Sequence, residues 1–253
     1  MNFEPINLSA YADPVIDELV SGKPNLENSI LIDLGQEANG TVLELGCGYG
    51  RITIPLAERG IELVGVELCP PSIAAAREKG TGLPIEWVEG DARTFQLNRQ
   101  FPFIFARGGV FDFMLTRADQ EAMLARVREH LSGDGLFAFD ICYRHPSRMV
   151  DYKEESEWFT MTDTMGRKIC FTGVDWYDHD NQLYIQRCWE RLGGADGEPL
   201  REPWELTLRY NFPQDVETLL HYNGFEVIDR YTDWFGTPPS KEEGTSLFVC
   251  KAV

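Results

Sequence analysis

The sequence lacks the features that would assign it to several large classes of protein. No apolar run approaches the roughly 20 residues of a membrane-spanning helix, and the start has no basic region followed by an apolar segment. The six cysteines are scattered, with no CxxC pair and no histidine cluster near them, which argues against a zinc site and a disulfide framework. We therefore expect a cytoplasmic protein with reduced thiols, no bound metal and no membrane partner.

Positive charge is scarce as well, because 23 Lys and Arg stand against 41 Asp and Glu, a formal net charge of -18. A uniformly acidic surface repels phosphate backbones, whose neutralisation supplies much of the affinity of nucleic-acid-binding proteins. Nucleic acid is therefore a poor partner, and a small-molecule ligand is favoured. The 253 residues suffice for one substantial α/β domain with an insertion, which we expect to be a monomer or a homodimer.

Between residues 41 and 142, short apolar runs alternate with helix-like segments. The strand-like runs are TVLEL, IELVGVEL, PIEWVEG, FPFIFA and GLFAFDI, and the helix-like segments are RITIPLAERG, PPSIAAAREKG and ADQEAMLARVREHL. This alternation is typical of a parallel sheet that is covered by helices on both faces. We predict an α/β fold with a doubly wound, Rossmann-like sheet.

The pattern changes after residue 150, where the β-branched and aromatic runs SEWFTMTDT, RKICFTGVDWYD, QLYIQRCWERL and WELTLRYN indicate an antiparallel β-meander of three or four strands. A helix from Pro213 to Gly224 and two terminal strands follow. Upstream, we expect one helix from Asp13 to Gly22 and a second over NLENSILIDLGQEA. We thus predict a helical cap (1–40), a Rossmann-like domain (41–150 and 212–253) and an inserted antiparallel β lid (151–211).

The stretch LELGCGYGR, residues 43 to 51, places three glycines behind the first predicted strand: Gly46, Gly48 and Gly50. Closely spaced glycines at this position let the backbone approach a ligand and present N–H groups to it. A dinucleotide fingerprint, G-x-G-x-x-G, would need glycine where this chain has Arg51. An NAD-dependent oxidoreductase is therefore an alternative that the sequence disfavours.

Acidic residues follow the next two strands. Glu67 ends the second strand, where it can accept hydrogen bonds from the vicinal hydroxyls of a ribose. Asp91 follows the third strand, and with the backbone N–H of Ala92 it suits the amino group and a ring nitrogen of adenine. Alternatively, Glu67 is a solvated strand-end acid and Asp91 a turn residue. Three consecutive strand ends thus fit the parts of one nucleoside.

These motifs resemble those of the class I S-adenosylmethionine-dependent methyltransferases. The matching stretches are VLELGCGYGRITIPLAERG, GVEL, EGDA, FPFIFARGG and GLFAFDI, and the meander looks like the lid of the small-molecule enzymes of this group. The resemblance implies a seven-stranded methyltransferase sheet, S-adenosylmethionine as the cofactor, and methyl transfer to a nitrogen or oxygen atom of a small-molecule acceptor. A nucleoside-binding module without catalysis is a further alternative.

The resemblance also implies roles for individual residues, with the glycines beside the methionine portion, Glu67 on the ribose, and Asp91 with Ala92 on the adenine. The predicted cofactor contacts are Tyr11, Glu44, Gly46, Cys47, Gly48, Gly50, Arg51, Glu67, Leu68, Asp91, Ala92 and Arg107. Within this set we expect Glu44 to hold the glycine loop in shape rather than to touch the ligand. Tyr11 either closes over the methionine end or only packs.

No single catalytic base is evident. Arg107 stays protonated and is a poor base, but it can anchor a carboxylate or a phosphate, or pair with Asp140. Tyr143 and His145, just beyond the fifth predicted strand, are weak further candidates, and His145 also suits an exposed loop. Four aromatic residues of the meander form either a lid face or a core stripe, namely Trp176, Trp189, Trp204 and Tyr210.

Overall fold

The computed structural model describes residues 7–239 and 244–253; the first six residues of the predicted cap lie outside this range. The helices are α1 (Pro14–Ser21), α2 (Ile30–Glu37), α3 (Thr53–Ala57), α4 (Pro70–Lys79), α5 (Arg117–His130) and α6 (Pro213–Tyr222). The strands are β1 (Val42–Leu45), β2 (Leu63–Glu67), β3 (Ile85–Glu89), β4 (Phe101–Ala106), β5 (Leu131–Tyr143), β6 (Tyr152–Thr162), β7 (Lys168–Asp178), β8 (Leu183–Leu192), β9 (Trp204–Arg209), β10 (Phe225–Tyr231) and β11 (Gly244–Ala252). Short 3₁₀ helices span Val110–Phe113 and Pro146–Arg148.

Seven strands form the main sheet in the order β10-β11-β5-β4-β1-β2-β3. The strands β1 to β5 pair in parallel, and β11 joins β5 and β10 in antiparallel fashion. The order reverses at β1, so the carboxyl ends of β1 and β4 flank the crevice where α/β sheets bind ligands. The predicted seven-stranded, doubly wound sheet is confirmed.

Helices cover both faces of this sheet and form its two apolar cores. On one face, residues of α5 and α6 such as Leu124 and Leu220 pack on phenylalanines of β4 and β5. On the other face, Leu31 of α2 and Leu56 of α3 pack on Phe103 and Phe105. Burial on both faces explains why the strand-forming runs are almost continuously apolar.

Local hydrogen bonds set the helix boundaries and explain two differences from the predicted ones. The second helix begins at Ile30 rather than at residue 25, because Asn28 has φ 56° and the Ser29 side chain caps the backbone N–H of Leu31. The LSGDG stretch, which precedes the predicted strand GLFAFDI, lies inside β5. There the pairing register shifts between Phe101 and Phe103, so that the strand already begins at Leu131.

The predicted lid segment contains a separate four-stranded antiparallel sheet, β6-β7-β8-β9. An N-terminal segment, residues 7–21, spans the space between this sheet and α4. Asn7 accepts from the backbone N–H of Thr207 and donates to its carbonyl, both at 2.8 Å, while Glu18 pairs with Lys79 at 2.7 Å. In the described part of the chain, no helix has the length and apolar character needed to cross a membrane.

Candidate active site

The glycine loop between β1 and α3 runs through left-handed backbone conformations. Gly46, Gly48 and Gly50 have φ angles of 70°, 55° and 85°, which residues with a Cβ atom rarely adopt. A Cβ atom at Gly46 would lie 2.6 Å from Cγ2 of Val110, and one at Gly50 would lie 2.9 Å from the ring of Trp87. Nothing lies within 4 Å of a Cβ position at Gly48. Packing thus requires the outer two glycines, whereas Gly48 leaves open space for a ligand.

Glu67 holds this loop against the second strand. One carboxylate oxygen accepts from the backbone N–H of Gly48 at 2.9 Å, and the other accepts from that of Cys69 at 2.7 Å. Burial raises the pKa of Glu67, although these two hydrogen bonds favour the ionised form. The carboxylate therefore connects the loop to the start of α4 and also lines the adjoining cavity.

Glu44 lies beneath the loop, with only 2% of its surface exposed. It accepts a hydrogen bond of 2.5 Å from the hydroxyl of Thr53 at the start of α3. Burial raises its pKa to about 8, against the opposing effect of that hydrogen bond. This geometry fits the expected role of Glu44 in fixing the loop.

The raised pKa predicts a pH-dependent effect of Glu44→Gln. Because the pKa in the folded state lies above the ordinary value of 4.5, the wild type loses stability relative to the variant as the pH rises from 4.5 through about 8. Between pH 6 and pH 9, we expect the free energy of unfolding of the wild type to fall relative to that of the variant. Urea unfolding at both pH values measures it, and a pH-independent difference would contradict the raised pKa.

Asp91 makes an ion pair and a backbone hydrogen bond that the sequence did not predict. Its carboxylate accepts from Nη2 of Arg93 at 2.6 Å and from the backbone N–H of the same residue at 2.8 Å. Nη1 of Arg93 pairs with Asp119 at 2.7 Å, and the Arg93 side chain is only 5% exposed. Asp91 also lines the cavity, so the adenine contact stays a prediction while its structural role is evident.

A cavity of about 480 Å³ extends from the glycine loop to the inner face of the four-stranded sheet. This volume lies within the range of about 300–1,000 Å³ that is typical of small-molecule sites. Of the predicted cofactor contacts, every residue except Gly50 lines it: Tyr11, Glu44, Gly46, Cys47, Gly48, Arg51, Glu67, Leu68, Asp91, Ala92 and Arg107. These residues fit S-adenosylmethionine, because an open glycine cradle and a strand-end carboxylate share one wall.

Tyr11 belongs to the N-terminal roof of the cavity. Its ring centroid lies 5.8 Å from that of Phe113, and its backbone carbonyl accepts from the hydroxyl of Ser72 at 3.3 Å. Burial raises the pKa of its phenol well above the usual value. Asp17 and Ile16 of α1 line the same roof. The N-terminal segment therefore closes the side of the cavity above α4.

Two of the weak catalytic candidates lie away from this cavity. Tyr143 packs edge-on against Phe212 at a centroid distance of 6.1 Å and lines a separate depression beside α6 and β10. His145 is exposed, and its Nδ1 is bonded to the Ser147 hydroxyl at 2.8 Å. The structure thus corrects the expectation that the end of the fifth strand brings these two side chains to the reaction site.

The inner face of the lid sheet contributes a wall of which the sequence predicted little. Of the four aromatic residues considered, only Trp204 lines the cavity, beside Trp158. Gln186, Cys188 and Glu190 alternate along β8 and share this face. That alternation is visible in the sequence, but nothing local indicates which face of the strand points to the cavity.

An ion pair between the partly exposed Arg201 and a buried carboxylate ends this wall. Glu190 is 3% exposed and accepts from Nη2 of Arg201 at 2.5 Å and from Nε1 of Trp204 at 3.0 Å. The wall thus combines aromatic surface with one polar cluster, as small-molecule sites commonly do. Among the described residues, no group of three or more His, Cys, Asp or Glu side chains is placed to hold a metal ion.

Known proteins that are similar in sequence to this chain are methyltransferases by description. Residues 42–135 match the family described as "Methyltransferase domain". The chain is 29% identical over 241 residues to "Putative methyltransferase YqeM" of Bacillus subtilis (strain 168), covering 92% of this chain and 93% of that protein.

Two solved structures are similar in fold. CcbJ methyltransferase from Streptomyces caelestis superposes with a TM-score of 0.81 at 22% identity, covering 96% of this chain and 98% of that one. CalS10, an amino pentose methyltransferase from Micromonospora echinaspora, superposes with a TM-score of 0.70 at 20% identity, covering 100% and 99%.

Proposed function

We propose that the chain is a class I S-adenosylmethionine-dependent methyltransferase, which transfers a methyl group to a nitrogen or oxygen atom of a small-molecule acceptor. The observation that carries the proposal is the continuous cavity between the glycine loop and the lid wall. One half presents the groups that suit the cofactor, such as Gly48 and Glu67. The other half presents Trp158, Trp204 and Glu190, which suit a compact acceptor with an apolar ring or chain and a polar end.

The chain's own residues act on the reaction mainly through position. When bound, S-adenosylmethionine supplies an electrophilic methyl group on its sulfonium. Glu67 and the glycine loop would hold the nucleoside and methionine portions, and the lid and α1 would exclude water from the acceptor's side. Holding two reactants in line is worth several kcal/mol of the barrier, of order 7–11 kcal/mol at best. Because positioning alone can lower the barrier by this much, the reaction does not require a general base that is recognisable in the sequence.

A nitrogen acceptor is the better supported choice. CalS10, which shares the whole fold, is an amino pentose methyltransferase. The cavity wall of this chain carries the carboxylate of Asp17, which favours a basic amine over an acid at its side of the site. Burial raises the pKa of Asp17, which suits a group that takes a proton from an amine. The net charge of -18 disfavours nucleic acid as the acceptor, and a cytoplasmic location and the monomer or homodimer state stay predictions.

Turnover assays with classes of acceptor test this function. We expect the wild type to methylate members of a panel of small amines and phenols, detected as S-adenosylhomocysteine by mass spectrometry, and to leave transfer RNA unmodified. Trp204→Ala should raise the KM for the acceptor by about ten-fold and leave the affinity for S-adenosylhomocysteine unchanged, because Trp204 lies on the lid wall. Methylation of transfer RNA alone would overturn the proposal. Cofactor binding without turnover of any acceptor would fit the non-catalytic alternative.

A further inference from the structure

The stretch that follows β4, residues 108–114, forms a part of the cavity wall that we call the floor segment. Four of its residues line the cavity: Gly108, Val110, Phe113 and Met114. Val110 packs against the glycine loop at Gly46, and the ring of Phe113 lies 5.8 Å from that of Tyr11 in the roof. A shift of the floor segment would therefore change how a cofactor and an acceptor meet.

The side chain of Asp112 lies behind this wall. Asp112 is 2% exposed, and it does not line the cavity. Its Oδ2 atom accepts from the backbone N–H of Cys142 in β5 at 2.8 Å, and its Oδ1 atom accepts from Nδ2 of Asn211 at 2.8 Å. Oδ1 of Asn211 accepts in turn from Nε2 of Gln120 in α5 at 2.9 Å. Because Asn211 is the second residue after β9, these bonds tie the chain that leaves the lid to the floor segment.

The donors around Asp112 require a carboxylate. A backbone N–H and a side-chain amide both donate to it, so position 112 needs two acceptor oxygens, whereas an asparagine offers only one. Burial raises the pKa of Asp112 to about 7 against these two hydrogen bonds, and the nearby Asp140 raises it further. Burial of this charge is therefore a weak source of stability, and what the carboxylate contributes is the fixed geometry of its two bonds.

Asp140 holds the start of the floor segment. It is 5% exposed, and its carboxylate accepts from the backbone N–H groups of Gly108 at 2.8 Å and Gly109 at 3.2 Å. The ion pair with Arg107 that the sequence suggested does not form within the described residues. A Cβ atom at Gly109, where φ is 73°, would lie 3.2 Å from Oδ2 of Asp112. Two buried carboxylates thus fix the same short segment at successive points.

We propose that Asp112 is a positioning residue for methyl transfer, which acts by fixing the floor segment to β5 and to the chain that leaves the lid. This inference rests on the proposed function, because it assigns to the junction the alignment of the acceptor with the cofactor's methyl group. In-line displacement is sensitive to distance, and a misplacement of about 1 Å can lower the rate about 100-fold. Since Asp112 does not line the cavity, its substitution acts on kcat rather than on cofactor affinity.

Asp112→Asn keeps the size of the side chain and removes one acceptor oxygen. We expect kcat to fall about ten-fold, and hydrogen exchange of the floor segment, followed by mass spectrometry, to become faster. The affinity for S-adenosylhomocysteine, measured by calorimetry, should stay within about two-fold of the wild-type value. All measurements are made well below the melting temperature of each variant, so that a loss of global stability does not contribute.

The double variant Asp112→Asn/Asn211→Asp exchanges the carboxylate and the amide. The amide at position 112 can then accept from the backbone N–H of Cys142 and donate to the carboxylate at position 211, which still accepts from Gln120. We expect this exchange to restore most of kcat and the slow hydrogen exchange. A merely structural role would not predict this recovery of kcat. If Asp112→Asn does not fold, Asn211→Ala removes the lid side of the junction alone, and it should lower kcat and speed exchange as well.

Asp178→Asn is the matched control. Asp178 also accepts from an asparagine, Nδ2 of Asn181 at 2.7 Å, but it lies beside the turn between β7 and β8 and does not line the cavity. Its substitution should change neither kcat nor exchange of the floor segment. Wild-type kcat and exchange in Asp112→Asn would overturn the proposal, as would a loss that the double variant fails to restore. Failure of the wild type to methylate any small acceptor would sink the proposed function, and hydrogen exchange would still show whether Asp112 fixes the floor segment.

Discussion

Arg93→Met is expected to destabilise the protein by about 3 kcal/mol, the low end of the cost of removing one member of a buried ion pair. The variant leaves Asp91 and Asp119 without the guanidinium that bridges them, and their side chains are only 16% and 10% exposed. Two carboxylates that lose a shared cation also repel each other. Urea unfolding at pH 7 measures the loss as a shift of the midpoint.

The same variant has a pH signature. Burial opposes the charge of Asp119, but hydrogen bonds from Thr116 and Arg93 outweigh it and lower the pKa of this carboxyl. The stabilisation is therefore complete above the ordinary value of 3.8 and disappears as the pH falls through the lowered value in the folded state. The difference in free energy of unfolding between wild type and variant should therefore become smaller below about pH 4.

Arg126→Met provides the control for this prediction. Arg126 pairs with Glu129 at 2.6 Å on the same helix, but both side chains are substantially exposed, at 30% and 42%. Exposed pairs of this kind contribute about 0–1 kcal/mol. A loss for Arg93→Met no larger than that of the control would show that the Asp91–Arg93–Asp119 cluster does not stabilise the sheet edge.

Glu67→Ala is expected to weaken S-adenosylhomocysteine binding by about 100-fold. The substitution removes the predicted contacts to the ribose and the two hydrogen bonds that hold Gly48 and Cys69 in place. Each hydrogen bond to a charged group is worth about 1.5–3 kcal/mol, so losing the equivalent of one or two accounts for this factor. Isothermal titration calorimetry measures it directly.

Glu89→Ala is the matched control, because Glu89 occupies the register position beside Glu67 on the neighbouring strand but is exposed. This substitution should leave the affinity for S-adenosylhomocysteine within about two-fold of the wild-type value, because exposed substitutions usually have small effects. If Glu67→Ala retained wild-type affinity while folding normally, the ribose contact would be wrong and the carboxylate would serve only the loop.

The alternation of apolar runs and helix signals was enough to predict the parallel part of the sheet, since burial on both faces leaves a strong pattern. The methyltransferase prediction agrees with the match of residues 42–135 to the family described as "Methyltransferase domain". Boundaries were less predictable where side chains compete with backbone hydrogen bonds. The start of α2 depends on the left-handed Asn28, and the start of β5 depends on a register shift opposite Phe101. Neither leaves a periodic signal.

The candidate site divides in the same way. Contacts that follow directly from a strand end, such as Gly48 and Glu67, were predictable because the topology brings parallel strand ends together. Arg93 was missed, because its importance comes from a tertiary pairing with Asp119 26 residues away. Glu190 and Arg201 were missed for the same reason: the lid's orientation over the sheet decides which face of β8 meets the cavity.

The N-terminal segment, residues 7–21, separates the cavity from solvent on the side above α4. It is held by hydrogen bonds of Asn7 with Thr207 and of the Tyr11 carbonyl with Ser72, and by the largely solvated pair of Glu18 with Lys79. None of the residues of α1 is fully buried, and parts of a protein with few buried contacts open at low free-energy cost compared with global unfolding. We therefore expect displacement of α1, rather than unfolding of either sheet, to admit ligands to the cavity.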